Sequence, residues 1–246
     1  MIFVDESIQE DLGYICVACV YCAESPSDLI NRALRDVGLT PGKDEYKSGA
    51  RMVGHPYRQV LRDRIADIVR MHCTIATYIA PVEERAHLLD GIIDSAQRIV
   101  AVNELEAPQV VIVDEGIAGG VVPDASKVLL KIGCDSKIIP GIQLADYAAY
   151  HCSYMLKREV TGVVKTVTLD LPEHPYDQEE VELEWLIRSD LRRNFFMEQR
   201  NIDEIDGDDW FFRLDGYGAF FSPNLPDSLS RAAREAFGAM YMGCIF

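Results

Sequence analysis

The stretch at residues 1–5, MIFVD, sets four apolar residues immediately before the acids Asp5 and Glu6. A short apolar run without alternation reads as a strand buried on both faces. A buried strand that delivers a carboxylate at its C-terminal end is a common start to an α/β active site. The same signal recurs twice. VVIVDEG carries an apolar run into Asp114, and IPGIQLADYAAY places Asp146 in an otherwise apolar helical stretch. A turn opened by Asp5 and Glu6 is the plainer reading of the first stretch alone. The recurrence favours a shared site.

The 246 residues suffice for one large domain or one domain with an elaboration, with a core that needs no staples. No apolar run has the length needed to span a bilayer, so no membrane role is expected. The amino terminus lacks the basic segment of a signal peptide, and the expected compartment is the cytoplasm. Seven cysteines, at 16, 19, 22, 73, 134, 152 and 244, read as buried free thiols. Cys16, Cys19 and Cys22 invite comparison with a metal motif. Their neighbours form a strand, however, and alternation turns Cys19 to the face opposite the other two.

The formal net charge of −16 argues against broad nonspecific binding to nucleic acid. The charge is uneven: residues 166–246 carry 17 acids against 7 bases. Several acids of the first two thirds are also candidate metal ligands, which a formal count treats as free surface charge.

In order, residues 13–22 read as a strand paired with the first in a hairpin across 7–12. A helix follows, capped by Ser25 with Pro26 in its first turn and ended by Gly38. A second helix starts near Pro56 and presents Val60, Leu61, Ile65, Ile68 and Val69. Residues 73–79 read as a strand, and Pro81 as the opening of a helix from about Val82 to Leu105. Residues 110–113 are a buried strand, with breaks at Gly116, Gly119 and Gly120. Residues 124–132 read as helical and 137–139 as a strand or extended link. Pro140 and Gly141 then turn the chain into a helix from Ile142 to about Arg158.

This pattern predicts an α/β fold, a mixed sheet covered by helices, over residues 1–160. Residues 161–246 read as an acidic, α-rich elaboration packed on the same body. Its expected elements are a strand or excursion at 163–171, a polar stretch at 172–184 and a helix at 185–196. An acidic loop at 201–209, a loop at 220–226 and a last helix at 228–242 follow. Leu186, Ile187, Leu191 and Phe195 are expected to face inward, and the aromatic residues are expected to pack the elaboration. Capping the cleft, a homodimer contact and exclusion of wrong substrates are the roles open to it.

Two-metal phosphodiester hydrolysis needs several carboxylates, supplied by different strand ends and a helix, around two divalent ions. The candidates are Asp5, Glu45, Asp114 and Asp146. Asp146 is the most conspicuous, because an acid on an apolar helix is costly without a partner, although the helix dipole also favours an acid in the first turns. Lys47 could hold a scissile phosphate. Glu6 and Glu115 follow the stronger acids by one residue; in strands they would face away, although loop geometry could let either join.

The segments FVDES at 3–7, EYKS at 45–48, VDEG at 113–116 and IPGIQLADYAAY at 139–150 resemble a bacterial and phage family of unknown function, number 3800. The QLAD helix is the most specific part, and the resemblance covers about residues 1–160. It implies a ribonuclease-H-like fold and nuclease activity. Asp5 then matches the first-strand acid, Glu45 the acid after the opening strands, Asp114 the central-strand acid and Asp146 the helix acid. Lys47, Ser48 and Gln143 match polar positions beside them, with Ser7 in the first motif. Ile8 departs from the Asp-Glu-Ser-Gly that is usual there, which alters the hairpin turn and leaves the acids in place.

Together these readings predict a divalent-metal-dependent nuclease that uses Mg²⁺ or Mn²⁺ on DNA or RNA. Arg51, Arg58, Arg62 and Lys137 are its candidate nucleic-acid contacts. None of the five histidines is placed as a base, and metal-bound water needs none. The strong acidity and the lack of a basic patch favour two alternatives. One is a catalytically silent binding or assembly module. The other is a metal-dependent enzyme for a small phosphorylated substrate.

Overall fold

The structure, a computed structural model, describes residues 1–117, 126–169, 177–201 and 209–243. Its centre is a mixed six-stranded sheet flanked by helices. Strand β1 (Ile2–Gln9) pairs antiparallel with β2 (Tyr14–Cys22), and β2 antiparallel with β3 (Cys73–Pro81). On the other side β1 runs parallel to β4 (Gln109–Asp114), which runs parallel to β5 (Val128–Cys134). Strand β9 (Ala219–Phe221), from the C-terminal part, completes the sheet parallel to β3.

β1 runs past its two acids to Gln9, so Asp5 lies mid-strand rather than at a strand end. It does lie just beyond the last parallel pair with β4, Val4 with Val113. The hairpin turn is a short 3₁₀ segment, Glu10–Leu12, closed by Gly13 in the left-handed region at φ 74°. Alternation splits β1 and β2 between two cores. Phe3, Cys16, Ala18, Val20 and Cys22 face one, and Ile2, Val4, Val17 and Cys19 face the other. The cysteine triplet therefore divides as the strand reading predicts, and its three thiols are buried and free.

The second core is closed by α3 (Leu88–Val102), which buries Leu89, Ile92, Ile93, Ala96 and Ile99. The first is built around α4 (Ile142–Thr161). It packs on β1 and β2 from one side. On the other it meets α2 (Pro56–His72), α5 (Leu183–Leu191) and α6 (Asp227–Phe237). A helix covered on both sides is apolar nearly all round, hence its run of Leu, Ala, Tyr and Met. Tyr14 ties β2 to it, donating its hydroxyl to the Ser153 carbonyl at 2.9 Å.

Gly141 sets how closely α4 approaches the sheet. A Cβ there would stand 2.3 Å from the Phe3 ring. Gly141→Ala is expected to cost about 1–3 kcal/mol through overpacking, measured by urea unfolding. An unchanged midpoint would show that the Phe3 contact does not set the helix position.

Several expected elements differ. The helix α1 (Ser27–Asp36) starts after Pro26, which takes the cap position, while Ser25 Oγ accepts the Ser27 N–H at 3.5 Å. Val60 on α2 is 48% exposed, because it falls outside the stripe of Leu61, Ile65, Ile68 and Val69. Pro81 ends β3 rather than opening a helix, and a 3₁₀ segment, Val82–His87, precedes α3. The segment expected as helix at 124–132 is β5 from Val128 onward; residues 124 and 125 lie outside the described residues. Its exposure alternates, as on an edge strand with one wet face. Residues 136–138 form a turn, Ile138 and Ile139 both donating to the Asp135 carbonyl. Gly119 and Gly120 lie outside the described residues.

The C-terminal part contains more strand than expected. It has β6 (Thr166–Thr168) paired with β7 (Glu180–Glu182), and β8 (Phe211–Arg213) paired with β10 (Ala239–Tyr241), besides β9. The expected helix at 185–196 is α5 followed by a 3₁₀ turn, with Ile187 and Leu191 buried. Phe195 is also buried, but past the helix, where it bridges to Ile75. Trp185 and Phe211 remain 40% and 56% exposed, so not all the aromatic residues pack as expected. The acidic loop at 201–209 falls largely outside the described residues, as do 172–176 of the stretch at 172–184, whose remainder runs through β7 into α5. Among the described residues no helix is long and apolar enough to cross a membrane.

Candidate carboxylate centre

Strand register brings the first two acids together. Phe3 pairs with Ile112 and Val4 with Val113, so Asp5 follows beside Asp114 on adjacent parallel strands. Phe3 and Ile112 both face the α4 core, and alternation returns Asp5 and Asp114 to that face. Asp146 lies in the second turn of α4, the helix packed against β1. Asp5 and Asp114 are 7% and 9% exposed. Each also accepts a backbone N–H: Asp5 Oδ1 from Glu6 at 2.8 Å, Asp114 Oδ2 from Gly116 at 3.0 Å. Asp146 Oδ2 accepts from Ser48 N–H at 2.9 Å.

The electrostatics record the convergence. Burial, then the charges of Asp114, Asp146 and Glu6, push the Asp5 carboxyl up to about 8. Asp146 is raised chiefly by burial, against the Ser48 hydrogen bond and Lys47. These are the signs of carboxylates crowded in a place poor in water.

Glu6 departs from the expectation that it faces away. A point at the Cβ position of Gly116 lies 3.3 Å from Asp114 Oδ2 and 3.4 Å from Glu6 Oε1. Its carboxyl is raised by burial and by Asp114, and its Oε2 is buried with no hydrogen-bond partner among the described residues. Glu115 is exposed, in the turn that follows β4. Ser7 lies on the Asp5 side of β1, opposite Cys16.

The segment before α2 is fastened to the start of α4. Gln143 accepts from Tyr46 N–H at 2.8 Å and donates to the Ser136 carbonyl at 2.9 Å. Ser48 donates to the Tyr46 hydroxyl, and its own carbonyl accepts from Arg62. The Gln143 motif position thus holds the turn that carries Glu45, Lys47 and Ser48. Glu45 itself is engaged: Ser136 Oγ donates to Oε2, Lys47 Nζ stands 3.5 Å from Oε2, and Lys137 Nζ stands 3.8 Å from Oε1. Desolvation lowers the Lys47 ammonium, but Glu45, Asp146, Asp5 and Asp114 together outweigh it and leave the pKa raised. Lys47 is the resident cation of the acids.

The candidate basic contacts separate. Arg58 donates to the Arg51 carbonyl and the Tyr57 hydroxyl at the surface. Arg62 is directed inward to Ser48, and Lys137 to Glu45. A cleft of about 250 Å³ opens beside Glu45 and Lys47; Tyr46, Met52, Tyr57 and Arg58 are among the residues that line it. Reasoning from sequence passed over the tyrosines. Tyr57, next to Arg58 and four residues before Leu61, was the available signal.

All the converging donors are carboxylate oxygens, the class preferred by Mg²⁺ and Mn²⁺. In donor type they suit a hard divalent cation, as does a Glu6 oxygen that has no hydrogen-bond partner among the described residues. Among the described residues, no group of three or more His, Cys, Asp or Glu stands close enough together to form a ready metal site.

No family model and no curated protein matches the chain, so the family suggested by FVDES, EYKS, VDEG and QLADYAAY stands as a resemblance. Among solved structures, the chain is similar to one in the PCNA:RNase HII complex from Archaeoglobus fulgidus. Sequence identity is 13% and the TM-score 0.37, over 83% of this chain and 98% of that one.

Proposed function

We propose that Asp5, Asp114 and Asp146 hold a divalent cation, Mg²⁺ or Mn²⁺, in a ribonuclease-H-like centre that hydrolyses phosphate esters. The observation that carries this reading is the burial of Asp5 between Asp114 and Asp146, with its carboxyl pushed up to about 8. Such crowding opposes the fold unless a cation enters, and it marks functional sites more often than structural ones. A bound divalent ion supplies Lewis-acid polarisation of the phosphate and an activated water. The chain's own part is orientation. The Gln143–Tyr46 and Asp146–Ser48 hydrogen bonds hold Lys47 over the acids, where its ammonium meets an incoming phosphate. The cleft of about 250 Å³ beside Lys47, with Tyr57 and Arg58, is lined by Glu45 rather than by the three aspartates and has room for a small group only. That size, with the net charge of −16, favours a small phosphorylated substrate or a short strand end over a long polyanion.

The test is a substrate panel with Mn²⁺ or Mg²⁺: a nucleotide phosphodiester, short single strands of DNA and RNA, and long duplexes. Metal-dependent release from the small members at the highest rate is expected. Cleavage of long duplexes at an equal rate would contradict the size preference.

Lys47→Ala is expected to raise KM about tenfold, because an ammonium–phosphate contact is lost. The same change is expected to tighten Mn²⁺ binding severalfold, since a competing cation has gone. Weaker Mn²⁺ binding in a titration would show that Lys47 supports the metal geometry instead.

A catalytically silent binding module is the second reading. It is favoured by the absence of a ready metal cluster among the described residues and by the Lys47–Glu45 ion pair. A chain that binds nucleotides with no metal requirement and turns none over would establish it.

A further inference from the structure

Cys22 ends β2 and Cys73 begins β3, and the two are register partners. The Cys22 N–H bonds to the Met1 carbonyl at 3.0 Å, on the β1 side. In an antiparallel ladder one residue's N–H and C=O point to the same side. Cys22 therefore faces Cys73 as a non-hydrogen-bonded pair, the kind with Cα atoms about 4.5 Å apart and side chains closest. That spacing falls within the roughly 4.4–6.8 Å that disulfides span. Both thiols face the α4 core, and their sulfurs stand 3.5 Å apart.

The pair is reached from the Cys73 side, since Cys22 is only 1% exposed. Cys16 and Cys152 are completely enclosed. Cys73 is 8% exposed and lines an open cleft of about 690 Å³ with Ala23, Pro26, Leu29, Met71 and Thr74. From register, sulfur separation and this opening we infer that Cys22 and Cys73 form a modification site, converted to a disulfide by a peroxide-class oxidant. The bond from the Cys73 thiol lowers the Cys22 pKa, against burial, while Cys73 itself is pushed up. Cys73, at the opening, meets the oxidant first, and Cys22, enclosed behind it, is the resolving thiol.

In the first step the Cys73 sulfur attacks one peroxide oxygen. The O–O bond breaks, Cys73 becomes a sulfenic acid, and the leaving oxygen takes the thiol proton as water or alcohol. In the second the Cys22 sulfur attacks the Cys73 sulfur. The S–O bond breaks, and hydroxide leaves with the Cys22 proton as water. Two thiols lose two electrons and the peroxide gains them.

The disulfide closes the chain from 22 to 73, which carries α1, the Glu45–Lys47–Ser48 turn and α2. Closing a loop of that length constrains the unfolded chain and raises the unfolding temperature.

The test uses the full chain treated with hydrogen peroxide, then alkylated in denaturant and mapped by mass spectrometry. The expected result is one linked peptide pair containing Cys22 and Cys73, reversed by dithiothreitol. A Tm several degrees above that of the reduced chain should accompany it. Cys22→Ser should stop at a dimedone-reactive Cys73, and Cys134→Ser should leave the link intact. Two outcomes would overturn the proposal. One is alkylation of both Cys22 and Cys73 in a sample whose exposed methionine has been oxidised. The other is a link between different cysteines.

Discussion

Asp5→Asn is expected to stabilise the metal-free chain at pH 8 by an amount on the order of a few kcal/mol, the opposite of what most substitutions of buried polar residues do. Asp5 in the folded chain titrates at about 8, against an ordinary carboxyl value of 3.8. Below about pH 4 the proton is bound in both folded and unfolded states, and the group makes no difference. As the pH rises from there, the unfolded chain releases the proton and the folded chain keeps it, so stability falls steadily. Above about 8 the folded chain has released it too, and the loss is complete and constant. Asp146 and Glu6, also raised by burial, add to the same trend. Asparagine keeps an oxygen for the Glu6 N–H and carries no charge. Unfolding curves of the two chains should therefore meet near pH 4 and separate up to pH 8. A variant less stable than the parent at pH 8, without metal, would show that the Asp5 charge is already compensated.

Asp114→Asn is expected to lower metal-dependent turnover by a factor of about 10³ or more while leaving the fold intact. Losing one charged ligand weakens the cation and misplaces what it activates, and interactions made mainly in the transition state carry several kcal/mol. Asparagine still offers an oxygen to Gly116 N–H, so the strand end is retained. The substitution should lower kcat more than it raises KM, since on this proposal Lys47, Tyr57 and Arg58 would still hold the substrate. An unchanged rate, with unaltered circular dichroism, would remove Asp114 from the reaction.

What the sequence discloses about this fold follows from how each element is buried. β1, β4 and α4 are covered on both sides, and continuous apolar runs announce them. β5 lies at the sheet edge with Leu129 56% exposed, and its short mixed pattern is as compatible with a helix as with a strand. β8, β9 and β10 span three residues each and exist through pairing with distant partners, which no local window contains.

The acids divide in the same way. Asp5, Asp114 and Asp146 are each conspicuous against apolar neighbours, and the sheet register and α4 bring them to one face. Glu6 is inaccessible to strand alternation, because its position depends on the turn at Gly116. The engagement of Glu45 by Ser136 and Lys137 is equally hidden, since those partners lie some ninety residues further along the chain. The inward direction of Arg62 depends on where Ser48 is held, which Asp146 decides.

Titration of the full chain with Mn²⁺, read by electron paramagnetic resonance and by proton release, tests the carboxylate centre most directly. Saturable binding is predicted, with protons released at pH 7 because Asp5 starts protonated. The affinity should increase from pH 6.5 to 8.5 and be lost in Asp5→Asn. A natively folded chain that binds no Mn²⁺ at millimolar concentration, or binds it equally well without Asp5, would contradict the account.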